Sequence, residues 1–200
     1  MDKKTQTIET YNATALEMAK KFKDLGARVV DIDKGFSLVK KQNPAVLEIG
    51  CGDGRDASEI LKRTNDYIGV DISSSMILIA SKYVSRGNFV IADIEQYTFP
   101  SNLDLIFSFA SLLHSDKEAL REIFKAVYDA LNDSGIFYVS LKYGEYGEVT
   151  KVDEFGTRTY YLYSPEDLTK ISENLFEIIE EDIYELRGQK WFTIIFKKIV

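Results

Sequence analysis

Val46-Leu47-Glu48-Ile49-Gly50-Cys51-Gly52-Asp53-Gly54-Arg55-Asp56-Ala57 is the stretch whose reading decides the fold. An apolar run of strand type carries Glu48, crosses three glycines in five positions and enters a helical pattern. Gly50, Gly52 and Gly54 admit φ > 0 and let bare peptide groups approach a ligand. The helix that follows aims its free N–H groups and the positive end of its dipole at the same place. Such a turn, at the carboxyl end of a parallel strand, suits a nucleotide-like or carboxylate-bearing ligand. The plain alternative is a tight strand-to-helix turn without a ligand, for which three alternating glycines are conformationally wasteful.

On the amino-terminal side, Thr5 to about Asn43 reads as helical, with Ile8, Tyr11, Ala15, Met18 and Phe22 at helical spacing and a break at Gly26. Pro44 ends this region. On the carboxyl side, Tyr67–Ile72, Asn88–Asp93, Leu103–Phe109 and Gly135–Leu141 read as strands. Helical patterns alternate with them. Ser73 to Ser75 supply an N-cap, and Asp116 caps a helix with Leu120, Ile123, Phe124, Val127 and Leu131 on one face. Strands alternating with helices make right-handed βαβ units and a mostly parallel sheet. Gly144 to Tyr163 is polar and tyrosine-rich; Ser164-Pro165-Glu166-Asp167 starts another helix. Two strands, about Glu177 to Leu186 and Lys190 to Lys198, close the chain around Gly188.

The 200 residues suit one domain, and 45% hydrophobic with 28% charged residues is globular composition. A net charge of −7 argues against a broad phosphate-binding surface, hence no nucleic acid. No apolar run is long enough for a bilayer, and the polar start, Met1 to Glu9, is unlike a signal peptide. Cys51 stands alone, so neither an intrachain disulfide nor a multi-cysteine metal site can form. These features lead us to expect a cytoplasmic protein without a metal, a monomer or homodimer.

The third glycine discriminates between nucleotide folds. The dinucleotide fingerprint G-x-G-x-x-G would need glycine where Arg55 stands. The pattern E-x-G-x-G-x-G instead resembles motif I of the class I S-adenosylmethionine (SAM) dependent methyltransferases, a likeness that covers about Val46 to Leu141. It implies an α/β, single-domain, Rossmann-like sheet of seven strands in the order 3-2-1-4-5-7-6, with a terminal antiparallel hairpin. It further implies a helical lid (residues 1–43), a cofactor-binding core (44–142) and a substrate-side segment with the closing hairpin (143–200).

Site residues follow from the same resemblance. Glu48, with the loop Gly50, Cys51, Gly52 and Gly54, would hold the methionine part of SAM. Asp71, about twenty residues on and followed by Ile72, would accept both ribose hydroxyls, a placement shared with NAD binders. Asp93 and Ile94 are similar to motif II, which meets adenine; an Asx turn is the alternative. Phe109 would pack near the adenine or sulfonium. Tyr11-Asn12 resembles a tyrosine-bearing lid segment. The lone His114, beyond the fourth strand, reads either as a general base near the methyl group or as a helix-flanking surface residue. Tyr143, Arg158 and Tyr160 would overhang the cleft and contact the acceptor, or belong to a surface β-excursion.

The Asn/Asp-Pro-Pro-Tyr motif of amide- or exocyclic-nitrogen methyltransferases is absent; Ser108-Phe109-Ala110-Ser111 stands there. No Pro-Cys pair exists for a covalent base adduct. The expectation is therefore methylation at N, O or S of a small molecule by in-line displacement. A Rossmann oxidoreductase, a non-catalytic SAM-binding module and a protein methyltransferase are the rivals.

Overall fold

The computed structural model describes residues 2–199, so Met1 of the polar start lies outside the described residues. The glycine-flanked strand β1 (Val46–Ile49) is the centre of a seven-stranded sheet. Beside it lie β2 (Tyr67–Asp71), β3 (Asn88–Ile91), β4 (Leu103–Phe109) and β5 (Leu131–Lys142), all parallel. The closing strands β8 (Phe176–Leu186) and β9 (Gln189–Lys198) run antiparallel to each other, and β9 pairs antiparallel with β5. Between β5 and β8 an inserted hairpin, β6 (Gly147–Asp153) and β7 (Gly156–Leu162), forms its own two-stranded sheet. The main order is β3-β2-β1-β4-β5-β9-β8, which is the expected order once that hairpin is set aside.

Helices cover both faces of the sheet. Side chains alternate along each strand, so every core strand feeds both faces. On one face Leu47, Ile106, Phe137 and Phe196 meet α6 (Lys117–Ala130) and α7 (Pro165–Ile171) through Phe124, Val127 and Leu168. On the other, Val46, Leu105, Phe107 and Tyr138 meet α3 (Val29–Ser37) and α4 (Arg55–Ile60) through Ile32, Ala57 and Ile60. α3 lies so close that a Cβ on Gly35 would come within 2.6 Å of the Phe107 ring. The expected caps form: Ser73 accepts from the Met76 N–H at the start of α5 (Ser74–Tyr83), Asp116 from Ala119, and Ser164 with Asp167 makes a capping box.

Two boundaries differ from expectation. The first helical stretch is two helices, α1 (Lys3–Ala13) and α2 (Ala15–Leu25), because Thr14 leaves helical geometry and its hydroxyl donates to the Thr10 carbonyl. β5 begins at Leu131 rather than Gly135, through a register shift against β4 in which Ser134 takes φ 63°. No helix among the described residues is long and apolar enough to cross a membrane.

Candidate functional site

The three glycines of the turn act for three different reasons. Gly50 has φ 74°, and a Cβ there would sit 2.0 Å from Ser111 Oγ: the turn and the loop beyond β4 touch. Gly52 has φ 53° and nothing within 4 Å of a Cβ; its bare face looks into open space. Gly54 has φ 80° and presses on Ala80 of α5, at 3.0 Å from a Cβ. Gly54 does not line the cavity, and its place is one of close packing against α5.

That open space belongs to a cavity of about 460 Å³ across the carboxyl ends of β1, β2, β3 and β4. Asp71, at the tip of β2, accepts the Gly52 N–H at 2.9 Å through Oδ2 and the Ser73 N–H at 2.8 Å through Oδ1. Each oxygen keeps a lone pair for a further donor. Burial pushes the Asp71 carboxyl up, opposed by those two N–H groups. Glu48 is 2% exposed and accepts the Tyr67 hydroxyl at 2.5 Å. Burial, with the Asp56 charge adding to it, raises the Glu48 carboxyl well above the usual carboxylate range. Cys51 lines the cavity as a buried thiol, also pushed up by burial. Ile72, Asp93, Ile94 and Phe109 line it too.

Helix α1 roofs this space. Lys4 pairs with Asp93 at 2.6 Å and with Glu95 at 2.7 Å. Asn12 Oδ1 accepts from the Ser73 hydroxyl at 2.8 Å. Thr7 accepts the Thr159 N–H at 3.0 Å and Thr10 donates to the Thr157 carbonyl at 2.8 Å, so α1 is fastened along β7.

His114 and Tyr11 meet under this roof. His114 Nδ1 lies 2.7 Å from the Thr159 carbonyl oxygen, an acceptor only, so Nδ1 carries the proton. Nε2 is then an acceptor, and Tyr11 donates its hydroxyl to it at 3.2 Å. Burial lowers the His114 imidazole to about 4, despite the Thr159 carbonyl. The ring is therefore neutral at pH 7, and burial raises the Tyr11 phenol above its ordinary value. His114 lines the cavity, between Tyr11 of α1 and Thr159 of β7.

The expected acceptor contacts stand elsewhere. Arg158 is paired with Asp153 and braces the hairpin beneath Phe155. Tyr160 lies under Lys142 Nζ, 3.6 Å from the ring centre. Tyr143 continues β5, its N–H donating to the Lys190 carbonyl. None of the three lines the cavity. Alternation along β7 explains it: Thr159 and Tyr161 face the cavity, and their neighbours turn away. Lys4, Arg28, Ser111 and Trp191 do line it, unforeseen from sequence. They arrive from the roof, the α2–α3 link, the β4 loop and β9, which no local pattern connects.

The residues present fit SAM: a glycine turn with one bare face, a strand-tip carboxylate with spare lone pairs, and a second acid at the tip of β3. The fold is a Rossmann-like domain whose sheet closes in an antiparallel hairpin, unlike a dinucleotide-binding domain, whose sheet would end in a parallel strand. The family model described as a methyltransferase domain matches residues 46–135. The carboxy-S-adenosyl-L-methionine synthase of Staphylococcus epidermidis is 28% identical over 170 residues, covering 82% of this chain and 72% of that protein. Malonyl-[acyl-carrier protein] O-methyltransferase 1 of Ilyobacter polytropus is 31% identical over 126 residues, 60% of this chain and 41% of its length. Among solved structures, the SAM-bound magnesium protoporphyrin IX methyltransferase of Synechocystis PCC 6803 superposes with a TM-score of 0.73 at 15% identity, covering 100% and 98% of the two chains. A methyltransferase domain matched over residues 46–135, on the fold shared with SAM-dependent methyltransferase structures, supports a class I SAM-dependent methyltransferase with SAM as its cofactor.

Proposed function

We propose that this protein transfers a methyl group from SAM to N, O or S of a small molecule. The observation that carries this reading is the roofed cavity. One wall is the glycine turn with Asp71 and Asp93; the other is Phe109, His114 and Tyr11, and α1 lies across both. A macromolecular acceptor would need that roof removed during transfer.

SAM supplies a methyl group already activated by its sulfonium. Glu48 and the Gly50–Gly52 backbone would hold its methionine part, Asp71 and Ile72 its ribose, Asp93 and Ile94 its base. Holding both reactants in line is worth about 7–11 kcal/mol of barrier. A single general base at 10²–10⁴-fold is worth about 3–5 kcal/mol. Alignment and exclusion of water therefore come first, and the proton second. Tyr11 and His114 would stand beside that proton's path, with Nε2 accepting the Tyr11 hydroxyl, but a ring held at about 4 is a weak base, in keeping with the proton's secondary place. Residues 1–43 serve as the lid, 44–142 as the cofactor core and 143–200 as the acceptor-side segment with the closing strands.

Isothermal titration with SAM and S-adenosylhomocysteine (SAH) should show micromolar binding, lost when Asp71→Ala and Gly52→Val are combined. Labelled methyl should pass to at least one member of a metabolite panel. Absence of binding to either compound would end this reading; binding without transfer to metabolites or to protein would leave a non-catalytic SAM module.

A further inference from the structure

Among the described residues three arginines have a buried Nε without a hydrogen-bond partner: Arg28, Arg55 and Arg158. Two of them are neutralised nearby. Arg55 Nη2 lies 3.1 Å from Asp56 Oδ2, and Arg158 is paired with Asp153. Arg28 differs. Its nearest carboxylate oxygen, Asp31 Oδ2, is 3.9 Å from Nη1, beyond hydrogen-bond distance, and the other Asp31 oxygen accepts the Tyr138 hydroxyl at 2.8 Å. Nη1 makes one long bond, 3.4 Å, to the Tyr184 hydroxyl. A guanidinium has five N–H donors, so most of its capacity is unused. The side chain is only 17% exposed, and a cation so placed is costly unless something anionic meets it.

The surroundings say what that is. Arg28 lines the main cavity, with its guanidinium carbon 5.2 Å from the centre of the Phe109 ring. Its backbone is pinned, the N–H donating to Asp56 Oδ1 at 2.8 Å. Leu25, Phe22, Leu186 and Trp191 line the same cavity and are apolar. The cavity's lysines are already matched: Lys3 with Glu148, Lys4 with Asp93 and Glu95.

We propose that Arg28 anchors a carboxylate on the methyl acceptor, making the acceptor class a small monocarboxylic acid with an apolar body. Planar Nε/Nη edges suit a carboxylate in a bidentate pair. A dianion is disfavoured, because one guanidinium beside Asp31 offers too little positive charge for a second negative one. This assignment rests on the methyltransferase reading above.

The test uses the full-length protein saturated with SAH. Benzoate and phenylacetate are titrated against their neutral amides, benzamide and phenylacetamide, with phenyl phosphate as the dianionic probe. The carboxylates should bind at least tenfold tighter than the amides and tighter than phenyl phosphate. Arg28→Gln should shrink that preference to within twofold, with SAH affinity within threefold of wild type. Arg28→Lys, which keeps the charge, should retain part of the preference and guards against a folding artefact in the first variant. Equal binding of acid and amide, tighter phenyl phosphate, or a preference untouched by Arg28→Gln would overturn the proposal. So would a tenfold loss of SAH affinity in Arg28→Gln, which would give Arg28 to the cofactor's own carboxylate. If wild-type protein fails to bind SAH at all, the underlying methyltransferase reading falls instead.

Discussion

The floor and the roof of the cavity are held by different kinds of bond. On the floor, Gly52 and Ser73 donate main-chain N–H groups to Asp71, and Gly50 and Cys51 donate theirs to the Val70 carbonyl. These contacts tie the loop beyond β1 to the tip of β2, at the carboxyl edge of the sheet. On the roof, α1 is fastened by side chains: Lys4 on Asp93 and Glu95, Asn12 on Ser73, Thr7 and Thr10 on the hairpin. The Lys4 pairs are exposed and screened by water, while the Thr7 bond is buried and the Asn12 and Thr10 bonds are part-buried. A floor that stays fixed and a roof that can come away are what a reaction needing water-free alignment and then product release requires.

The largest effect that would test this contrast is on the floor. Gly50→Val places a Cβ 2.0 Å from Ser111 Oγ at a φ of 74°, so the loop beyond β4 must move. SAH binding should become undetectable by calorimetry; binding within tenfold of wild type would show that the floor yields as easily as the roof. Asp71→Ala should come next. It removes the partner of two N–H groups and the proposed ribose acceptor, and hydrogen bonds to a charged group are worth about 1.5–3 kcal/mol each. SAH affinity should fall by about a hundredfold or more.

A middle-sized effect joins floor to roof through His114. Its ordinary value is 6.5 and the folded value about 4, so the unfolded chain binds more protons between those limits. The stabilisation is complete above pH 6.5 and disappears as pH falls toward 4. Because the residue keeps some exposure to solvent, we expect about 2 kcal/mol rather than the full value. Urea melts of wild type and His114→Gln at pH 7.5 and 4.5 should show the wild-type advantage shrinking by that amount. An advantage that grows on acidification would contradict a neutral His114.

The smallest effect belongs to Lys4→Ala. Lys4 is 42% exposed, and surface pairs are worth about 0–1 kcal/mol. The midpoint of thermal unfolding should shift by about two degrees or less. SAH should dissociate faster in stopped-flow measurements, and an unchanged rate would mean that α1 is not held at Lys4.

What the sequence disclosed divides along the same line. The strand tips were legible, because Glu48, Gly52, Asp71 and Asp93 owe their place to the ends of strands, and strand ends follow from apolar runs and turn residues. The third glycine was legible only as a turn residue; its contact with Ala80 depends on how α5 lies against the turn. Tyr11 and His114 were singled out separately, 103 residues apart, and only α1 lying against η1 (Leu112–His114) and β7 joins them. That Arg158 and Tyr160 do not line the cavity could not be read from sequence, because facing in a two-stranded hairpin turns on register, and a one-residue change swaps the faces. Arg28 carried no signal. It sits just beyond Gly26 in the link between α2 and α3, and its importance comes from what the fold withholds from it.

The inserted hairpin pairs with no core strand, and its outward hydrogen bonds run to α1, at the other end of the chain, and to His114. Length or sequence there can change without disturbing a single ladder of the main sheet. Variation between residues 147 and 162 would thus reshape the ceiling over the acceptor while leaving the cofactor's bed intact, a route by which one scaffold could acquire new clients.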